Sequence, residues 1–268
     1  MRITYRQVNN KDYWTKRWSD IPADRPMENR NVYPLKYAEK TVQSKNGIIL
    51  EAGCGAGRIL RYYKDRGYDI VGIDFIEGVI KKLREIDPEL HVAVGDITNL
   101  QYKDESFRYV LAFGLYHNLE HGLERAIQET FRVLERGGKL CASFRADNIQ
   151  TRLTDWLEAY HSWKKEEDSG RKEFHKVNLT RGECARFFQE AGFVIEAVYT
   201  VENMPILYKF SFFRSRNHKR FDENKARAEG YQLSFLGTTL QKLLMRFSPN
   251  QFCNIYVFIA QKPGEESL

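Results

Sequence analysis

No apolar run in this sequence approaches the roughly 18 residues that a bilayer-spanning helix needs. The opening Met1-Arg2-Ile3-Thr4-Tyr5-Arg6 lacks an apolar h-region, so no signal peptide is expected. Cysteine is scarce: Cys54, Cys141, Cys184 and Cys253 lie far apart, without metal-ligand spacing. Buried, reduced thiols in a cytoplasmic protein are the expectation, with no metal site. Internal repeats and low-complexity tracts are also absent. What is present suffices for a packed interior, since 42 % of residues are hydrophobic and 13 % aromatic.

The charge is uneven. Residues 1–47 hold ten Lys/Arg against five Asp/Glu, and residues 203–250 hold nine against three. With a net charge of +6 overall, the remainder is acidic. Localised basic character points to an anion or an anionic surface as partner.

From residue 48 the pattern alternates between short β-like runs and helical periods. Ile48-Ile49-Leu50-Glu51 reads as a buried strand, and a helix follows with Ile59, Leu60 and Tyr63 on one face. Asp69 to Asp74 reads as a second strand and Glu77 to Ile86 as a second helix, ended by Asp87-Pro88. Leu90–Val94 and Phe107–Phe113 supply two more strands. Leu123, Ala126, Ile127, Thr130, Phe131 and Leu134 fall at helical spacing, Gly137-Gly138 is expected to stop that helix, and Lys139–Phe144 reads as a fifth strand. Thr180 with Glu183 has the spacing of a capping box, and Val194–Val201 and Asn254–Ala260 close the series. Such alternation implies an α/β fold, a parallel sheet with helices on both faces.

Three pieces stand outside the alternation: an N-terminal arm (1–47), a polar stretch (145–178) and a basic aromatic stretch (203–250). The core is then 48–202 with 251–268, the polar stretch being an insertion within it. Additions to such a core commonly set selectivity.

The chemistry-bearing run is Glu51-Ala52-Gly53-Cys54-Gly55-Ala56-Gly57-Arg58, at the end of the first strand. Alternate glycines let the backbone turn sharply and approach a ligand closely, and a nucleotide belongs at that edge of the sheet. The G-x-G-x-x-G spacing of dinucleotide sites is not met, because Arg58 or Leu60 falls where its third glycine would be. Glu51 would repel a pyrophosphate and suits a cationic amino-acid end. Asp74, ending the second strand, can accept both hydroxyls of a ribose. After the third strand, Asp96 can accept from an adenine amine, with Ile97 and Phe75 sandwiching the ring. Asp96 reads equally as a turn cap.

These runs, with Gly72-Ile73-Asp74, Gly95-Asp96-Ile97 and Arg132 to Gly138, resemble the successive motifs of class I S-adenosylmethionine (SAM) dependent methyltransferases. The similarity is to the broad type 11 family of small-molecule and biosynthetic enzymes, over roughly 48–144 and more weakly over 179–201 and 253–262. It implies a Rossmann-like seven-stranded sheet with an antiparallel last strand, and SAM contacts from the loop of Glu51, Gly53, Cys54, Gly55 and Gly57 and from Asp74 and Asp96. It also implies that Tyr13 and Trp18 belong to a helix folding over the SAM pocket as a lid, although Trp14 and Trp18 also suit an ordinary amphipathic packing face. The Phe113-Gly114-Leu115-Tyr116-His117 loop would lie beside the transferred methyl, making His117 the leading candidate base and Tyr116 a positioning group. His117 could equally hydrogen-bond its own loop. His121 and His175 are weaker candidates, His175 in a stretch, Phe174-His175-Lys176, that could lean over the acceptor site.

The loop is not the Asn/Asp-Pro-Pro-Tyr/Phe tetrad of enzymes that methylate exocyclic base amines or amide nitrogens. The expected activity is therefore methyl transfer from SAM, leaving S-adenosylhomocysteine, to an O or N atom of a small or polymer-terminal metabolite, a surface sugar or natural product with an anionic group. An RNA methyltransferase and a non-catalytic SAM-binding module are the alternatives. The stretch 203–250 carries Lys209, Arg214, Arg216, Lys219, Arg220, Lys225 and Arg227 among Tyr208, Phe210, Phe212, Phe213 and Phe221. It suits a small cap with solvated cations, an anionic acceptor, or peripheral contact with the inner membrane surface. Nucleic acid ranks below these, because the cations form no unbroken stripe.

Overall fold

The computed structural model describes residues 1–6, 8–164, 172–221 and 229–264. Lys225 and Arg227 of the basic stretch lie outside the described residues. The strands are β1 (Arg2–Arg6), β2 (Ile49–Ala52), β3 (Ile70–Asp74), β4 (Val92–Val94), β5 (Phe107–Ala112), β6 (Leu134–Arg145), β7 (Glu173–Asn178), β8 (Val194–Thr200) and β9 (Ile255–Gln261). Seven form one sheet in the order β4-β3-β2-β5-β6-β9-β8. Pairing is parallel from β4 through β6, while β9 runs antiparallel to both its neighbours. This is the expected Rossmann-like sheet.

Every residue of β2 is buried, as a strand covered on both faces requires. The alternation of the strand divides its side chains. Ile49 packs with α3 (Arg58–Lys64) and α4 (Glu77–Ile86) through Leu60, Ile80 and Leu83. Leu50 packs with α5 (Leu123–Val133) and α7 (Arg181–Glu190) through Ala126, Ile127 and Phe188. Each such fully buried side chain contributes roughly 1.5–3 kcal/mol. The capping box forms as expected: the Glu183 N–H donates to Thr180 Oγ1 and the Thr180 N–H to the Glu183 carboxylate.

One boundary differs. The helix α5 ends at Val133, because Leu134 is already extended. Gly137-Gly138 does not stop a helix; it lies within β6, where the pairing with β5 shifts register.

The arm and the insertion, separate in sequence, meet in space. β1 pairs antiparallel with β7, Arg2 opposite Asn178 and Arg6 opposite Glu173. Arg2 also bonds Asp147 at 2.8 Å and, from α6 (Ile149–Lys164), Asp155 at 2.7 Å. The arm continues into α1 (Asn10–Asp20), whose N-cap Asn9 accepts from the Asp12 N–H, and later α2 (Leu35–Thr41), which buries Leu35 and Ala38. The stretch 203–250 folds as α8 (Pro205–Lys209), two 3₁₀ turns, α9 (Phe235–Phe247) and α10 (Pro249–Phe252). Tyr208 is fully buried there, its hydroxyl 2.8 Å from His218 Nδ1. Phe212 and Phe221 remain more than half exposed, so the aromatics of this cap do not all pack inward. Among the described residues, no helix is long and apolar enough to cross a membrane.

Candidate functional site

The carboxyl ends of β2, β3 and β5 open into a cavity of about 1260 Å³. Its donor end is shaped by the glycine loop. Gly53, Gly55 and Gly57 all adopt positive φ, a region that side chains strain. The Gly53 and Cys54 N–H groups both donate to the Ile73 carbonyl, locking the loop to β3. A Cβ at Gly55 would come within 2.6 Å of the Trp18 ring. The indole of α1 therefore rests directly on the glycine backbone, as a lid does. Trp18 stacks on Trp14, and Arg6 lies over the Tyr13 ring at 3.7 Å.

Asp74 is buried, and each carboxylate oxygen accepts one backbone N–H, from Gly55 and Ile76, at 2.9 Å. Burial raises its pKa, and the N–H groups of Ile76, Gly55 and Phe75 pull it back. Asp74, Phe75, Asp96 and Ile97 line the cavity together, Phe75 being 60 % exposed and Ile97 buried. Asp96 also accepts the Thr98 N–H at 2.8 Å, so its turn-capping role is present at a position facing the cavity.

Glu51 is placed differently from expectation. It is not among the residues lining the cavity, and neither are Cys54, Gly55 and Gly57. These four shape the loop from behind or, for Gly55, under Trp18. Burial pushes the Glu51 carboxyl up to about 8, offset in part by the Leu60 N–H and Arg58. Its Oε2 is buried with no hydrogen-bond partner among the described residues. A buried acceptor left open costs free energy unless a donor reaches it.

The acceptor end begins at Gly114, whose N–H donates to Ser143 Oγ at 2.9 Å. That hydroxyl is 2.6 Å from the Tyr33 hydroxyl, and the Tyr33 ring meets Phe113 edge-on. His117, in the 3₁₀ turn Tyr116–Asn118, lines the cavity with Phe113 and Gly114. Tyr116 does not. It is fully buried, stacked on Phe144, with its hydroxyl 2.7 Å from Thr130 Oγ1. A one-residue step round a 3₁₀ turn sends neighbours to different sides, so Tyr116 is a core residue and not the expected positioning group. Asn118 is held from both sides: its Nδ2 donates to the Gly114 carbonyl, and its own carbonyl accepts from Asn10 of the lid helix at 3.1 Å.

His117 shares its surroundings with a group of cations around His175, of which Lys176 belongs to the stretch Phe174-His175-Lys176 expected near the acceptor site. Arg145 at the end of β6, Lys176 of β7 and Arg6 of β1 line the same cavity as His175. Lys176 is buried, with Asp155 at 3.6 Å, but that carboxylate is already engaged by Arg2 at 2.7 Å. Burial and then Arg145 hold the Lys176 ammonium down at about 8. Burial, followed by Lys176, Arg6, Arg145 and His117, holds the His175 imidazole at about 3, so it is neutral at physiological pH. His121 lies at the rim, 89 % of its side chain exposed. All four cysteines are buried thiols, and the described residues contain no cluster suited to a metal ion.

Residues 50–142 match the methyltransferase domain family. Among curated proteins, a demethylmenaquinone methyltransferase of Paenarthrobacter aurescens is 31 % identical over 47 % of this chain and 44 % of its own length. A malonyl-[acyl-carrier protein] O-methyltransferase of Enterobacter lignolyticus is 28 % identical over 40 % and 43 %. The chain thus spans less than half of either relative. A solved SAM-dependent methyltransferase from Methanosarcina mazei superposes with a TM-score of 0.58 at 19 % identity, over 87 % of this chain and 99 % of that one, which speaks for the fold. Residues 50–142 thus carry the match to the methyltransferase domain family, within a Rossmann-like sheet of the order described above.

Proposed function

We propose that this protein transfers the methyl group of SAM to an O or N atom of a small or polymer-terminal metabolite that carries an anionic group. The observation that supports this best is one cavity lined by two groups of residues. Asp74, Phe75, Asp96 and Ile97 form one; His117, Arg6, Arg145 and Lys176, which all act on His175, form the other. The residues fit the donor: two carboxylates for hydroxyl or amine donors and an apolar pair for a ring. When bound, SAM supplies an electrophilic methyl group, so the chain's own task is placement and proton handling.

His117 is the group we assign to taking the acceptor's proton, and Lys176 with Arg145 to holding its anion. Trp18 and the lid helix keep water from the donor end. His117→Ala is expected to lower turnover by about 10²-fold or more at saturating substrates, and Lys176→Met to raise the acceptor KM about tenfold. Neither should change SAM affinity in calorimetry; a shift in SAM affinity with acceptor KM intact would place them at the wrong end. Because the Lys176 ammonium titrates near 8, acceptor KM should climb as pH rises through that value, and the climb should vanish in Lys176→Met.

The reading itself is tested by incubating the protein with methyl-labelled SAM and separate host fractions of metabolites, lipids and RNA. Label in an anionic metabolite or lipid is expected. Label confined to RNA would replace it with the nucleic-acid alternative, and SAM binding without label in any fraction would favour a non-catalytic module.

A further inference from the structure

Two helices outside the 50–142 domain turn apolar side chains to solvent. On α6, Ile149, Leu153, Trp156 and Tyr160 are exposed and recur at i, i+4, i+7 and i+11, a single stripe. The opposite face of α6 buries Thr151 and Thr154. On α9, Phe235, Leu236, Leu243 and Phe247 are exposed, Phe235 by 90 % and Phe247 by 77 %. Here too the other side packs inward, through buried Gly237 and through Gln241, which accepts the Met204 N–H.

The two helices are linked through the short segments that flank them. At one end, Asn148 donates to the Asn250 carbonyl and the Ile149 N–H to Gln251, both on α10, which directly follows α9. At the other, Lys209 pairs with Glu158 of α6, and Ser234, the N-cap of α9, donates to the Phe212 carbonyl. Phe210 and Phe212 are exposed on the segment that meets the start of α9. With the exposed side chains of α9 they make an apolar face that is more than scattered surface hydrophobics would give.

We propose that this face docks on an anionic membrane surface. Charge complementarity selects that occupant. The helix α9 contains Lys242 and Arg246 and no acidic residue, and helical spacing puts both cations at the edge of its apolar stripe. Arg216, Lys219 and Arg220 are exposed in the segment that precedes α9 in the chain. Aromatic and leucine side chains on one face with basic residues at its margin are the composition of a helix lying in the lipid headgroup layer. A second copy of this chain would set the same cations against themselves, which opposes a homodimer through this face. The cavity is lined from the same segment by Pro205, Lys209 and Phe221, so docking would bring the acceptor end of the cavity close to the lipid.

The test is sedimentation with vesicles of phosphatidylcholine containing about a quarter phosphatidylglycerol, and with phosphatidylcholine alone. The protein should pellet with the anionic vesicles and not with the neutral ones at moderate salt. F235E/F247E should reduce partitioning about tenfold or more, and K242E/R246E should weaken it most at low salt. All four positions are exposed, and SAM calorimetry on the same samples reports whether the fold is kept. Absence of wild-type pelleting, partitioning unchanged in both variants, or a dimer broken by F235E would each overturn the proposal. Loss of SAM binding by the wild-type protein would strike the methyl-transfer reading alone.

Discussion

Asp74→Ala is expected to weaken SAM binding by about 10²-fold or more, read by calorimetry. Two losses combine. Asp74 is a cavity-lining carboxylate, and a charge-assisted hydrogen bond to such a group is worth roughly 1.5–3 kcal/mol. It also accepts the Gly55 and Ile76 N–H groups, so it holds the glycine loop against the start of α4. Alanine leaves both donors without their partner in a buried place, and the loop on which Trp18 rests can relax. Asp74→Asn separates the two roles, since an amide keeps one acceptor oxygen and turns a donor toward the other N–H. It should fall nearly as far as alanine. Affinity within threefold of wild type in Asp74→Ala would mean that the donor is held elsewhere.

The second large effect is on stability and concerns Glu51. Its carboxyl titrates near 8 in the folded protein against 4.5 for the unperturbed group. A folded pKa raised in this way contributes stability that is complete below pH 4.5 and is lost as pH climbs through 8. Each unit corresponds to about 1.4 kcal/mol, so the upper bound is several kcal/mol. The ligand-free protein should therefore melt at progressively lower temperature between pH 5 and pH 9, as far as this group decides. Glu51→Gln mimics the protonated carboxyl and should flatten that slope, making the variant the more stable protein at the alkaline end. Calorimetric melting curves at matched ionic strength decide it: parallel slopes for the two proteins would show that Glu51 is not the titrating group.

The group of residues proposed to hold the donor was legible because each of its parts leaves a short local pattern. A strand, a glycine turn and a carboxylate at the next strand's end each leave a local pattern, and Asp74, Phe75, Asp96 and Ile97 do meet at one cavity. Orientation was less legible. Nothing in a run of residues says that Glu51 is buried outside the cavity lining, or that Tyr116 turns into the core while His117, one step on, lines the cavity. The acceptor half was least visible, because it is made by pairing across the chain. β1 and β7 are brought together from positions about 170 residues apart, and such a pair has no local signature. Phe174-His175-Lys176 was therefore legible as a stretch near the acceptor site, but without Arg6 and Arg145 beside it. The stripe on α6 escaped for a related reason, since periodicity reports that a helix has two faces without saying which one meets water.

The two-stranded sheet of β1 and β7 has a consequence for grafting. Residues 50–142 match a methyltransferase domain, whereas Arg6, Lys176, Arg145 and the helix that carries Trp18 lie outside it. A chimera that exchanges only residues 50–142 would carry the glycine loop and His117 with it and leave Arg6, Lys176 and Trp18 in the recipient. Arg6 and Lys176 would move only when both strands travel as a unit. One strand without the other would leave a row of backbone donors and acceptors unpaired, and Arg2 parted from Asp147 and Asp155.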